Sequence, residues 1–106
     1  MDLDEPDLDT VSLATVMAAL GDDVRLRIVQ CLAEQGESRC GTLDLGVSKA
    51  TRSHHFKVLR ESGVTHTRVE GTRRFVTLRR DELQQRFPGL LDALLAAQLA
   101  ETAAAA

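Results

Sequence analysis

VSKATRSHHFKVLRESGV, residues Val47 to Val64, holds a helix start, a helix stop and a change of period within eighteen residues. Ser48 is a natural N-cap and Gly63 a natural stop, so the spacing predicts a helix running to about Ser62. Phe56 and Leu59 form its inner stripe, flanked by His55 and Val58, and the remaining positions are short, polar or basic. Arg52 is in register with Phe56 and Leu59, which places its stem on the apolar stripe and its guanidinium beyond it. Past Gly63 the period falls to two. Val64–Val69 and Arg73–Leu78 are rich in β-branched residues and flank Glu70-Gly71-Thr72, which reads as a hairpin turn with glycine at positive φ.

Upstream, Leu13, Val16, Met17 and Leu20 predict a helix starting at Asp9 or Thr10 and stopped by Gly21. Asp22 then caps a second helix with Val24, Ile28, Cys31 and Leu32 on one stripe, widened by Leu26 and Val29 and ended by Gly36. Between 37 and 46 the pattern is weak, and a short helical turn is expected around Gly41–Leu45. Downstream, a last helical region resumes after Asp81, broken by Pro88-Gly89. Leu90, Leu91, Leu94, Leu95 and Leu99 then alternate with alanines. Asp92, Gln98 and Glu101 alone make that segment polar, so its apolar face is wider than the roughly 100° stripe one small core covers. A second copy of the chain is the simplest cover.

The chain has 106 residues, net charge −3, 43% hydrophobic residues and two cysteines, which suits one domain that needs no disulfide or structural metal. Residues 1–9 are expected to be an acidic flexible tail, 10–101 the folded domain and 102–106 a frayed end. The acidic start and the lack of a long apolar run predict neither export nor a membrane span, so the cytoplasm is the expected location. The charge is segregated. Between Lys49 and Arg80 nine basic residues face two acidic ones, a net of +7, while the remainder carries −10. Such asymmetry points one surface at a polyanion, although solvated faces of a helix and a hairpin would also show it.

A helix, a turn containing glycine, a second helix with basic outward positions and a basic hairpin follow the order of a winged helix-turn-helix: mainly α, with a β-hairpin wing. Its expected partner is double-stranded DNA. Ser48, Lys49, Thr51, Arg52, Ser53 and His54 supply short polar and basic groups for base edges, and Lys57 and Arg60 lie further along, toward phosphates. Arg73 and Arg74 stand just beyond the hairpin turn, where a wing reaches an adjacent groove, and Arg68 faces the duplex or solvent. His55, near the inner stripe, reads as a hydrogen-bonded structural histidine. A protein-binding module using the same basic face is the rival reading. No nucleophile and base stand at motif spacing and there is no glycine-rich phosphate cradle, so no enzyme and no cofactor are expected.

The sequence resembles the ArsR-type (SmtB/ArsR-like) bacterial transcriptional regulators. The resemblance rests on LGDDVRLRIVQCL (Leu20–Leu32), VSKATRSHHFKVLRESGV (Val47–Val64) and the EGTRRFVTL wing (Glu70–Leu78), and it extends over about residues 12–96. It implies a homodimer joined through the first and last helices, which binds an operator of inverted symmetry, usually as a repressor, and lets go when a signal is sensed. Leu13, Val16, Met17, Leu20, Leu90, Leu91, Leu94 and Leu95 are the expected interface.

The chain departs from the family's two usual metal motifs. A lone Cys40 stands where a Cys-x-Cys pair would lie, and from Asp81 onward there is neither histidine nor cysteine, so no metal site is expected. Cys31 reads as core, and a Cys31–Cys40 redox pair stays open because its geometry is not written in the sequence. The effector is not written in the sequence: a small molecule, a redox change, a metal at a non-standard site, or none at all stay open. A crevice lined by Leu13, Met17, Leu90 and Leu94 is the candidate place for an apolar ligand.

Overall fold

The computed structural model describes residues 2–39 and 43–105. Helix α1 spans Leu13–Leu20, α2 Asp23–Gln35, α3 Lys49–Glu61, α4 Arg80–Arg86 and α5 Leu90–Ala105. Strands β1 (Ser38–Arg39), β2 (Thr65–Glu70) and β3 (Arg73–Leu78) form one antiparallel sheet in the order β1-β3-β2.

Local chemistry sets the helix ends. The Asp22 carboxylate accepts the backbone N–H groups of Val24 (2.9 Å) and Arg25 (3.1 Å), two of the donors left unpaired at the start of α2. The Ser48 hydroxyl accepts the Thr51 N–H at 3.2 Å and opens α3. In the hairpin Glu70 pairs with Arg73, leaving Gly71 and Thr72 as a two-residue turn, and Gly71 takes the φ of +60° expected of it.

Val16 and Leu20 of α1, Ile28, Val29 and Leu32 of α2, and Phe56 and Leu59 of α3 meet Val64, Val76, Leu83 and Leu91 in one core. Each fully buried aliphatic side chain contributes roughly 1.5–3 kcal/mol of apolar transfer. This core seats α3 with one face inward and its other face beside the hairpin.

Four expectations are corrected. The acidic segment 2–9 is not a loose tail: Leu8 is 4% exposed, and the Leu3 N–H donates to the Thr67 carbonyl at 3.0 Å. Arg79 donates to the Pro6 carbonyl at 2.9 Å, and Arg86 donates to the carbonyls of Leu8 and Val11, each at 3.2 Å. Net charge disfavours collapse, but one buried leucine and two arginines binding backbone carbonyls outweigh it. Second, the first helix starts at Leu13 behind a Ser12 cap, because Leu8–Thr10 forms its own 3-10 turn. Third, Leu43–Leu45 is not helical, and Gly41 and Thr42 lie outside the described residues; the short strand Ser38–Arg39 takes its place in the connection. Fourth, α5 remains helical to Ala105, as an alanine run favours.

Candidate nucleic-acid interface

One helical stripe of α3, Lys49, Arg52, Ser53, Phe56, Lys57 and Arg60, recurs at three- and four-residue spacing and faces the hairpin. With Thr67, Thr72, Arg73 and Arg74 it encloses a groove of about 600 Å³. Among the described residues six cations line this groove and no carboxylate does. The register of Arg52 with Phe56 is thereby explained. Both line the groove, Arg52 half-buried and Phe56 buried and shared with the core, while His55, Leu59 and Ser62 are buried and do not line it.

The groove therefore gathers Lys49, Arg52, Ser53, Lys57, Arg60, Arg73 and Arg74 from the sequence-derived set. Ser48, Thr51 and His54 are exposed on α3 but do not line it. The Ser48 hydroxyl is engaged in the cap and bonds Thr51 Oγ1 at 2.9 Å, so its role is to open the helix. Thr67 and Thr72 line the groove although the sequence reading passed over them. Thr67 was legible from its inward alternation with Thr65, while Thr72 follows only from the turn geometry.

Arg68 is a correction. Its guanidinium donates to Glu37 Oε1 at 2.8 Å, pairs with Glu70 and lies 4.5 Å from the centroid of the Phe75 ring. Glu37 beside it holds its pKa above the ordinary arginine value. Arg68 thus ties the wing to the segment before β1 and is not among the residues that line the groove.

His55 is 8% exposed, and its Nδ1 accepts a hydrogen bond from Arg25 Nη1 at 3.1 Å, with Asp22 Oδ1 at 4.0 Å. The structural role expected of it holds. Asp22 itself is held below the usual carboxylate range, first by the Arg25 backbone N–H.

Outside the groove lining, Leu13 is 50% exposed, Met17 44% and Leu99 56%, while Leu90, Leu94 and Leu95 are half-buried. Val16, Leu20 and Leu91 are buried in the protomer's own core and are withdrawn from the expected interface. Cys31 is half-buried, and burial pushes its thiol up, away from the reactive thiolate. Cys40, the other half of the suggested redox pair, lies outside the described residues.

A basic recognition helix and a basic two-stranded wing converging on one groove define a winged-helix DNA-binding protein. The family model for bacterial regulatory proteins of the arsR family matches residues 22–66. YceK of Bacillus subtilis, an HTH-type transcriptional regulator, is 40% identical over 84 residues, covering 76% of this chain and 84% of the relative. A homologue of CadC, the cadmium resistance transcriptional regulatory protein, from Staphylococcus aureus is 32% identical over 77 residues, 71% of this chain and 64% of that protein. Among solved structures, the transcriptional repressor BigR from Xylella fastidiosa superposes with a TM-score of 0.64 at 33% identity, covering 80% of this chain and 84% of BigR. The chain belongs to the arsR family of bacterial regulatory proteins. It is a transcriptional regulator with a DNA-binding fold and not an enzyme.

Proposed function

We infer that the chain is a sequence-specific repressor that binds an inverted-repeat operator as a homodimer and leaves it on receipt of a chemical signal. The observation that carries this reading is the groove between α3 and the wing, where the described lining residues include six cations and no acid. A phosphate backbone entering it places the first turns of α3 against base edges in the major groove. The homodimer is supported by Leu13, Met17 and Leu99, which are exposed on the first and last helices and do not line the groove. The repressor role is supported by likeness to BigR, itself a transcriptional repressor.

The signal is a small molecule or a redox change. The notch between α1, α4 and α5, lined by Val16, Leu20, Leu83, Phe87, Leu90 and Leu91, has about 10 Å³ of room, no more than one water needs. An apolar ligand site there requires walls from the second copy. Selection of binding sites from random duplex DNA, with and without reductant, tests the whole reading. An inverted repeat with half-sites about one helical turn apart supports it. No enriched site at low salt overturns it and favours a protein partner for the basic face, and a reductant-dependent yield assigns the signal to the cysteines.

A further inference from the structure

Three helices meet on a single guanidinium. Arg25, in the first turn of α2, donates from Nε to the Ala19 carbonyl and from Nη2 to the Ala18 carbonyl at 3.4 Å, both at the C-terminal end of α1. Its Nη1 donates to His55 Nδ1 on α3. Carbonyls at a helix C-terminus carry partial negative charge, so a cation there is well placed, although the Ala18 carbonyl also accepts the Gly21 N–H at 3.3 Å. His55 Nδ1 must be the unprotonated ring nitrogen to accept this bond, which leaves the proton on Nε2.

The apolar contacts of Phe56 and Leu59 hold α3 against the core but are not directional in the way a hydrogen bond is. A hydrogen bond is directional and weakens steeply off its axis. His55 is adjacent in sequence to Phe56 and lies within one turn of Arg52, Ser53 and Lys57, so rotation at His55 re-aims the whole groove stripe.

We propose that Arg25 is a positioning residue for DNA recognition: through His55 Nδ1 it sets the azimuth of α3 and references it to the end of α1. Among the described residues, the charged and titratable groups facing His55 are Arg25 and Asp22 from α2 and its cap, with the His54 ring 6.0 Å away on α3 itself. The inference rests on the DNA-binding reading above and assigns that binding's sequence discrimination to a contact outside the groove.

The test compares the full chain with His55→Asn, His55→Gln and Arg25→Met. Asparagine places an amide oxygen where Nδ1 stands, whereas glutamine places it one bond further out, near the position of Nε2. The probes are the duplex that the unaltered protein selects from a random pool and a scrambled duplex of equal length, with thermal midpoints measured in parallel. His55→Asn is expected to keep the preference for the selected duplex within about threefold. His55→Gln and Arg25→Met are expected to lose at least about tenfold of it, the scale of one mismatched base pair, while retaining binding to the scrambled duplex. A role in stability alone would lower the midpoint and leave the ratio unchanged, and that result overturns the proposal. So does equal loss in His55→Asn and His55→Gln. If Arg25→Met does not fold, the two His55 variants decide. Selection of no site by the unaltered protein is a different failure, that of the operator reading.

Discussion

A Cβ placed on Gly63 would lie 2.5 Å from Leu8 Cδ2, and Gly63 itself sits at φ +83°. The residue that ends α3 and the leucine of the acidic N-terminal segment are therefore fitted to one another. Leu8→Ala is expected to destabilise the protein by about 2–5 kcal/mol, as for other buried leucines. Gly63→Ala is expected to lose at least about 1 kcal/mol from the left-handed backbone alone. Urea unfolding measures both, and a Leu8→Ala midpoint equal to the parent's would show that the segment contributes nothing to stability.

Arg73 and Arg74 line the groove, whereas Arg68 is held by Glu37 and Glu70. Replacing Arg73 and Arg74 together by alanine is expected to weaken binding to every duplex. The slope of log affinity against log salt should fall by roughly 0.9 for each phosphate that is no longer neutralised. Arg68→Ala should leave that slope nearly unchanged. A titration series between about 50 and 200 mM salt distinguishes the two, and an equal drop for Arg68→Ala would return it to the phosphate-binding set.

Asp22 and Glu82 both titrate below their ordinary range, Asp22 chiefly through the Arg25 backbone N–H and Glu82 through its hydrogen bond from Arg79. Their folded-state pKa values are lower than the unfolded ones. The stability they add is complete above about pH 4–5 and is lost as pH falls through the folded values. Thermal midpoints are expected to decline between about pH 5 and 3. Asp22→Asn keeps a capping oxygen, so it should match the parent near pH 7 and decline less steeply in acid. Parallel curves would remove Asp22 from the acid response.

Leu13 and Met17 are exposed, so Leu13→Glu with Met17→Glu should fold as well as the parent. On the proposed homodimer, sedimentation is expected to report a lower mass for the double variant than for the parent, and affinity for an inverted repeat should fall by at least about tenfold without the second half-site. A double variant with unchanged mass in solution would place the subunit contact elsewhere.

The parts legible in the sequence were those with local causes. Asp22, Ser48 and Gly36 mark helix ends through bonds to nearby backbone, and Gly71 marks its turn through its own φ. What escaped was long-range. The charge of residues 2–9 suggested disorder because composition does not reveal that Arg79 and Arg86, more than seventy residues later, bind the backbone there. Arg68 looked free because Glu37 lies thirty-one residues upstream. The leucine face of α5 was rightly read as wide, but spacing alone did not separate Leu91, turned to its own core, from Leu99, turned away. Within the candidate interface the helical stripe and the wing arginines were readable, and the Arg25–His55 clamp was not.

The β2–β3 hairpin is flanked on both sides. Ser38–Arg39 pair with β3, and on the other side Asp2 bridges Arg68 while Leu3 bonds Thr67 of β2. At these positions the strands offer no template to a foreign strand, and the row of aspartates and the glutamate in residues 2–9 repels a like chain that approaches. The acidic segment that composition alone marks as a loose tail thus closes part of the outer edge of β2 to a foreign strand.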